Sequence, residues 1–232
     1  MPRVVVLGCG TGVGKTRFSV ALLRGLGCAH RQTMGLKPVE TGVSVDISGA
    51  SPGSDAEALS QASSSLLAIN QSLYAFKEPV SPHLAARGAD VEIAIPAIVD
   101  WVCSAERRMA RRVSSHMATW TVIETAGGVF SPLSERETNF ELALALEPAA
   151  WIVVAPDALG VLHDVSATLH AMRARRREPD HVVLSAAREP DASTGTNARE
   201  LSALGIVVPS ATLQRNDDRG IHVLVQRLLD EQ

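Results

Sequence analysis

Residues 8–16 read Gly-Cys-Gly-Thr-Gly-Val-Gly-Lys-Thr and follow directly on the apolar run Val4-Val5-Val6-Leu7. A buried strand that ends in a glycine-rich turn and then enters a helix through Gly-Lys-Thr is a phosphate-gripping loop. Its backbone N–H groups turn inward, its lysine reaches the outer phosphate oxygens, and its hydroxyl stands where a Mg²⁺ ion accompanies a nucleoside triphosphate. The loop is a variant. Counting back from Lys15, the first glycine of G-x-x-x-x-G-K-[ST] falls on Cys9, and Gly8 stands one residue earlier. The helical run Phe18-Ser19-Val20-Ala21-Leu22-Leu23 completes the strand–loop–helix context.

That context predicts an α/β architecture, and the rest of the chain agrees. Apolar β-branched runs at 3–7, 33–37, 120–124, 151–155, 182–185 and 206–208 read as strands. Helical patterns read at 15–26, 55–63, 93–112, 139–146, 161–175, 197–204 and 220–229. Such alternation implies right-handed crossovers, hence a mainly parallel sheet with helices on both faces and ligands beyond the carboxyl ends of the strands. The fold class is therefore a P-loop NTPase-like α/β domain. At 232 residues a single domain spanning 1–232 suffices. Residues 40–54, rich in Gly, Ser and Pro, read as a loop.

Charged residues make up 20 % of the chain and the formal net charge is −3, which gives no bias toward nucleic acid. The basic clusters at Arg107–Arg112 and Arg173–Arg177 fall at predicted helix ends, where cations complement the dipole. Cys9, Cys28 and Cys103 are odd in number and lack disulfide or metal-ligand spacing, which points to a reducing compartment. With no leader-like N-terminus and no membrane-length apolar stretch, the expected location is the cytoplasm, without membrane association.

Three more segments lie where ligands gather. Lys37-Pro38-Val39-Glu40-Thr41-Gly42 follows the second strand, and Glu124-Thr125-Ala126-Gly127-Gly128-Val129-Phe130-Ser131-Pro132-Leu133-Ser134 follows the third. Between them come Asp55 and Glu78-Pro79-Val80-Ser81-Pro82-His83-Leu84-Ala85-Ala86. Glu124 at a strand end is suited to hold a cation, and Lys37 supplies a second positive charge where anionic charge builds on a transferred phosphoryl group. Asp55, after Gly53-Ser54, is compatible with helix capping as well as with a cation site. His83 reads as a turn residue or a catalytic group.

Taken in order, these blocks resemble the dethiobiotin synthetases, P-loop ligases of biotin synthesis, from residue 4 to about 210. The resemblance implies closure of a ureido ring from 7,8-diaminopelargonate, CO₂ and ATP, with release of ADP and phosphate. It implies Mg²⁺ held by Thr16, Asp55 and Glu124, and catalytic roles for Lys15 and Lys37. ATP contacts are implied at Gly12, Val13, Gly14, Lys15, Thr16, Arg17, Glu124, Thr125, Ala126 and Gly127, and at the base by Ser185, Pro209, Ser210 and Ala211. Substrate contacts are implied at Thr11 and Thr41. In the resembled family the helix opened by Leu159-Gly160 belongs to the partner subunit, which implies a homodimer in which the free N–H groups of Val161, Leu162 and His163 receive the substrate carboxylate and Gly160 permits its close approach. Asp157 is the competing candidate for a simple cap of that helix.

The chain also departs from the family pattern. Cys9 and Gly10 stand where the family loop has Thr and Asp, which removes a carboxylate near the cation. Ser185 replaces a base-reading Asn, which predicts weak discrimination among purine and pyrimidine triphosphates and a gain in preference for Ser185→Asn. Two other readings stay open. One is another amide-forming ligase of the superfamily. The other is a partition-type ATPase switch, which would carry a lysine where Gly10 stands and which commonly ends in a basic membrane-seeking helix, unlike Leu228-Leu229-Asp230-Glu231-Gln232.

Overall fold

The computed structural model describes residues 1–44, 52–64, 72–112, 118–215, 217 and 219–231. Its centre is a parallel sheet of six strands: β1 (Arg3–Gly8), β2 (Gln32–Leu36), β5 (Thr119–Glu124), β6 (Ala150–Asp157), β7 (His181–Ala186) and β8 (Ala211–Leu213), in the order β2-β5-β1-β6-β7-β8. Register aligns Val6 with Glu124 on one side and with Ile152 on the other. The phosphate loop thus leaves the sheet beside the end of β5. Two further strands, β3 (Val39–Thr41) and β4 (Tyr74–Phe76), pair in parallel as a separate small sheet.

Strands buried on both faces need apolar residues at every position, and β1 shows how each face is used. Val5 and Leu7 join the core beneath α4 (Ile95–Ala110) and α5 (Asn139–Ala145). Val4 and Val6 join the core beneath α1 (Lys15–Cys28), α2 (Asp55–Ala62) and α8 (Arg219–Asp230). The α4 stripe Ile95, Ile98, Val102, Ala105, Met109 repeats at helical spacing and is buried throughout. Its one buried acid, Glu106, is taken by Arg3 at 2.6 and 2.9 Å and by the Thr121 hydroxyl at 3.0 Å, tying the start of β1 to α4. A third cluster packs α6 (Val161–Ala174) and α7 (Asn197–Ala203) against β7. Truncating one fully buried leucine of α1, such as Leu22, costs about 2–5 kcal/mol.

The single domain with a parallel sheet and helices on both faces agrees with the sequence reading, and the seven predicted helices are present with end shifts of a few residues. Both basic clusters fall at helix ends, with Arg107 and Arg108 in the last turn of α4 and Arg173 in that of α6. Three readings are corrected. Residues 206–208 are not a strand: Val208 is exposed, Pro209 has no N–H to give a ladder, and pairing starts when Ser210 N donates to Val182 O, so the strand is Ala211–Leu213. Pro82 opens an additional helix, α3 (Pro82–Gly88). Glu40 and Thr41, read as loop, belong to β3, while residues 45–51 of that loop lie outside the described residues. Among the described residues no helix is long and apolar enough to cross a membrane.

Candidate active site

Everything the phosphate loop needs is set by its two ends. β1 delivers the chain at Gly8, and α1 begins at Lys15 with Gly14 in the left-handed region at φ 91°. No larger residue fits at position 14. A Cβ there would be strained and would lie 2.3 Å from the Ser185 hydroxyl. Lys15 is buried and folds back to donate to Gly10 O at 3.0 Å. Burial first, and then repulsion from Lys37, lower its pKa to about 8. Cys9 packs against both the core beneath α1 and the cluster beneath α6 and α7, and burial raises its thiol pKa to about 11.

Next to the loop, Lys37 leaves the end of β2 and becomes the hub of the site. Its Nζ lies 2.6 Å from Glu124 Oε1, 3.0 Å from Asp55 Oδ2 and 3.3 Å from Thr125 O. Thr16 donates to the same Glu124 oxygen at 2.9 Å. Burial alone would lower the Lys37 pKa, but Glu124 and Asp55 outweigh it and hold the ammonium above its ordinary value. Burial would likewise raise Asp55, yet Lys37 and the Thr16 hydroxyl keep that carboxyl below its usual range. Asp55 is not the cap of α2: Ser54 takes that position and accepts from Glu57 N at 3.1 Å, leaving the Asp55 carboxylate free to face Lys37.

The chain after Glu124 closes the other wall. Thr125 bonds Val6 O through both its N–H and its hydroxyl, and Val129 N reaches Gly8 O at 2.8 Å. Asn139, fully buried at the start of α5, donates to Ala126 O and Gly128 O at 2.5 and 2.8 Å, so it holds the glycine turn from behind. These walls enclose a cavity of about 320 Å³. Lys15, Lys37, Asp55 and Glu124 share it with Thr11, Gly12, Gly14, Thr16, Arg17, Glu40, Thr41, Ala126 and Gly127. Val13 and Thr125 are buried supports of its walls.

Other predicted residues lie elsewhere. Ser185 does not line the cavity: it is wholly buried beneath Gly14 with its hydroxyl unpaired, so it has no surface to offer a base. Pro209 and Ser210 precede β8, with Ser210 bonded to His181 at the first residue of β7, and Ala211 is buried in the strand itself. Placing the strand too early moved its exit. The true carboxyl end is Leu213-Gln214, where Gln214 O accepts from Arg17. Gly160 is the N-cap of α6 without a side-chain capping bond, Val161 is buried, and none of 160–162 lines the cavity. The Val161 N–H, expected free, is taken by Ala158 O. Asp157 does not cap this helix: it accepts from Gly195 N and Asn197. His83 pairs with Ser81 in the first turn of α3, beside a different cavity. Glu40, Asn139 and Gln214 contribute here without a role in the sequence reading, Glu40 standing only within the Lys37–Gly42 block.

A hydroxyl and two carboxylates form a hard-oxygen donor set suited to Mg²⁺, and Oε2 of Glu124 is buried without a partner. Thr16, Asp55 and Glu124 are thus the residues able to hold a divalent cation. In their present arrangement the Lys37 ammonium supplies the positive charge between the two carboxylates.

Residues 2–218 match the AAA domain family. Solved structures with the same fold include the MinC:MinD cell division protein complex of Aquifex aeolicus, at TM-score 0.54 and 12 % identity over 100 % of this chain and 97 % of that one. A ParA family ATPase from Chlorobium tepidum TLS gives TM-score 0.52 at 11 % identity over 99 % and 96 % of the two chains. Curated relatives are much nearer in sequence. An ATP-dependent dethiobiotin synthetase BioD of Anaeromyxobacter dehalogenans (strain 2CP-C) is 34 % identical across 94 % of this chain and 92 % of its own length. The protein of that name from Ralstonia nicotianae is 36 % identical across 73 % and 70 %. With 34 % identity extending over 94 % of this chain, the chain belongs to the ATP-dependent dethiobiotin synthetase family.

Proposed function

We propose that this ATP-dependent ligase of biotin biosynthesis closes a ureido ring from 7,8-diaminopelargonate, CO₂ and ATP. The observation that carries the reading is Lys37: one buried ammonium, 2.6 Å from Glu124 Oε1, lines the same cavity as the phosphate loop, Thr11 included, and Thr41, a setting suited to an anionic nucleophile approaching a γ-phosphate. The Gly12–Arg17 loop and the Ala126–Gly127 turn cradle the phosphates, and Lys15 turns from Gly10 O to them. Thr16, Asp55 and Glu124 would hold Mg²⁺, whose chemistry is to neutralise phosphate charge.

In the proposed sequence one substrate amine adds to CO₂ and loses a proton, giving a carbamate. Its oxygen attacks the γ-phosphorus as the bond to ADP breaks, forming a carbamic–phosphoric anhydride. The second amine attacks the carbonyl carbon, phosphate leaves, a proton is lost and the ring closes. Lys15 and Lys37 stabilise charge on the phosphoryl group and the carbamate, and Thr11 and Thr41 orient the diamine. Positioning and electrostatics thus carry the rate. Partners are small molecules, ATP included. The working unit is a homodimer in which the α6 start of one subunit receives the substrate carboxylate of the other, a reading supported by the exposed Leu159 beside Gly160.

Phosphate release measured with ATP alone, with diaminopelargonate, with bicarbonate and with both tests the function. Turnover that needs both co-substrates is the expected result. Equal release with ATP alone would replace the ligase by a hydrolytic switch, and ATP turnover driven by a different amine or acid would assign another amide-forming ligase.

A further inference from the structure

Glu40 has no role in the scheme above, yet it is one of the few buried carboxylates among the described residues. Three donors converge on it: Asp55 N at 2.6 Å, Ser72 Oγ at 3.1 Å and Ala56 N at 3.4 Å. Two of these are first-turn N–H groups of α2, which have no acceptor within their own helix. Ser54 already serves Glu57 N, so Glu40 completes the cap from β3, fifteen residues upstream.

What matters is which residue it holds. The short segment from Lys37 to Glu40 grips Asp55 twice, at the side chain through Lys37 Nζ and at the main chain through Glu40. The far end of α2 is fixed independently, where Ser63 Oγ accepts from Gly35 N at 2.9 Å and Leu59 packs in the core. Glu40 is therefore the tie that sets the near end, where the Asp55 carboxylate enters the cavity. It is not a direct partner of Lys37, whose bonds run to Glu124, Asp55 and Thr125 O.

We infer that Glu40 is a positioning residue. By fixing the Asp55 main chain it sets how that carboxylate meets a divalent cation bound with nucleotide, and so governs cation affinity through Asp55. The inference rests on the assignment of Thr16, Asp55 and Glu124 to the cation. Partners that orient a ligand in this way are typically worth about 10–100-fold in metal affinity.

The test is Mn²⁺ binding to the protein–ADP complex, followed by electron paramagnetic resonance, for wild type, Glu40→Ala, Glu40→Gln, Asp55→Ala and the double variant Glu40→Ala/Asp55→Ala. Glu40→Ala should weaken Mn²⁺ about tenfold. Glu40→Gln, whose carbonyl still accepts from Asp55 N and whose amide can donate to Ser72, should stay within about threefold of wild type. The double variant should match Asp55→Ala, because Glu40 has nothing to act on once the carboxylate is gone. In turnover, the Mg²⁺ concentration for half-maximal rate should rise more than kcat falls. If Glu40→Ala loses helical circular dichroism, Glu40→Asp, one methylene shorter, replaces it with the same expected loss. Wild-type Mn²⁺ affinity in Glu40→Ala, or a full further loss on top of Asp55→Ala, overturns the positioning role. Undiminished affinity in Asp55→Ala overturns the cation assignment beneath it, a separate outcome.

Discussion

The Lys37 ammonium lies 2.6 Å from Oε1 of Glu124, both side chains are buried, and the second oxygen of that carboxylate has no partner. A buried ion pair of this kind adds little net stability, because desolvation of both groups offsets their attraction, but removing one partner leaves a charge that nothing compensates. Lys37 therefore has two duties that compete. It neutralises Glu124 and Asp55 within the protein, and it must offer charge to a substrate.

Replacing Lys37 by Met should expose this competition. The variant keeps the stem length but leaves Glu124 facing Asp55 without a cation, a loss of about 3–5 kcal/mol. Millimolar Mg²⁺ should restore part of the lost Tm in Lys37→Met and raise that of wild type much less, because ligand binding stabilises most where the site is unfilled. Turnover should fall by about 10² or more at any Mg²⁺ concentration. A thermal scan in which Mg²⁺ shifts both proteins equally would show that the ammonium and the cation do not share a place.

Lys15, Thr16, Lys37 and Glu124 were legible in the sequence because each sits at the exit of an apolar strand, within a run of residues whose spacing is itself the signal. Asp55 was ambiguous on paper, since a carboxylate after Gly-Ser could cap a helix, and it took the Ser54 bond to Glu57 N to separate the roles. Glu40 and Asn139 were not legible as site builders: their bonds reach fifteen residues ahead to Asp55 and back from α5 to Ala126, and no local pattern encodes such pairings. Pro209, Ser210 and Ala211, expected just beyond a strand, lie before and within β8 for one identifiable reason. An apolar Ile206-Val207-Val208 looks like a strand, but Pro209 delays pairing until Ser210, which moves the strand exit to Leu213-Gln214.

Subunit mixing tests the shared site. A Lys37→Ala chain and a Gly160→Glu chain are each inactive in their own dimers under this arrangement, whereas a mixed dimer keeps one site with an intact Lys37 and an intact α6 start. Random exchange makes half of the dimers mixed, so activity should recover to about a quarter of wild type. Confirmed subunit exchange with no recovery would rule out a site completed by the partner.

Thiol labelling should distinguish the cysteines by position. Cys28 is exposed and should react first, whereas burial raises the Cys9 pKa to about 11, leaving on the order of one thiolate per thousand at pH 8. The sign follows directly: a raised thiol pKa means less nucleophile below it, so the Cys9 rate should climb about tenfold per pH unit up to about 11 and level off there. Mass spectrometry of the labelled peptides gives the rates, and a Cys9 rate that is fast and flat between pH 7 and 9 would contradict this burial.

Ser185→Asn gives opposite results according to where position 185 lies. Were it at the edge of a bound base, a carboxamide would sharpen the preference for ATP. Buried beneath the loop, its hydroxyl already occupies the space that a Cβ on Gly14 would need, so there is no room for the extra atoms of Asn. The larger side chain must lift the loop or twist from its rotamer, at about 1–3 kcal/mol. The variant should therefore melt at lower temperature, bind every nucleoside triphosphate more weakly and keep the wild-type ratio of ATP to GTP affinity. Ser185→Ala, which removes only the unpaired hydroxyl, should retain wild-type binding. Competition titrations with the two nucleotides decide the matter: a clear gain in ATP preference for Ser185→Asn, at unchanged Tm, would place this residue at the base.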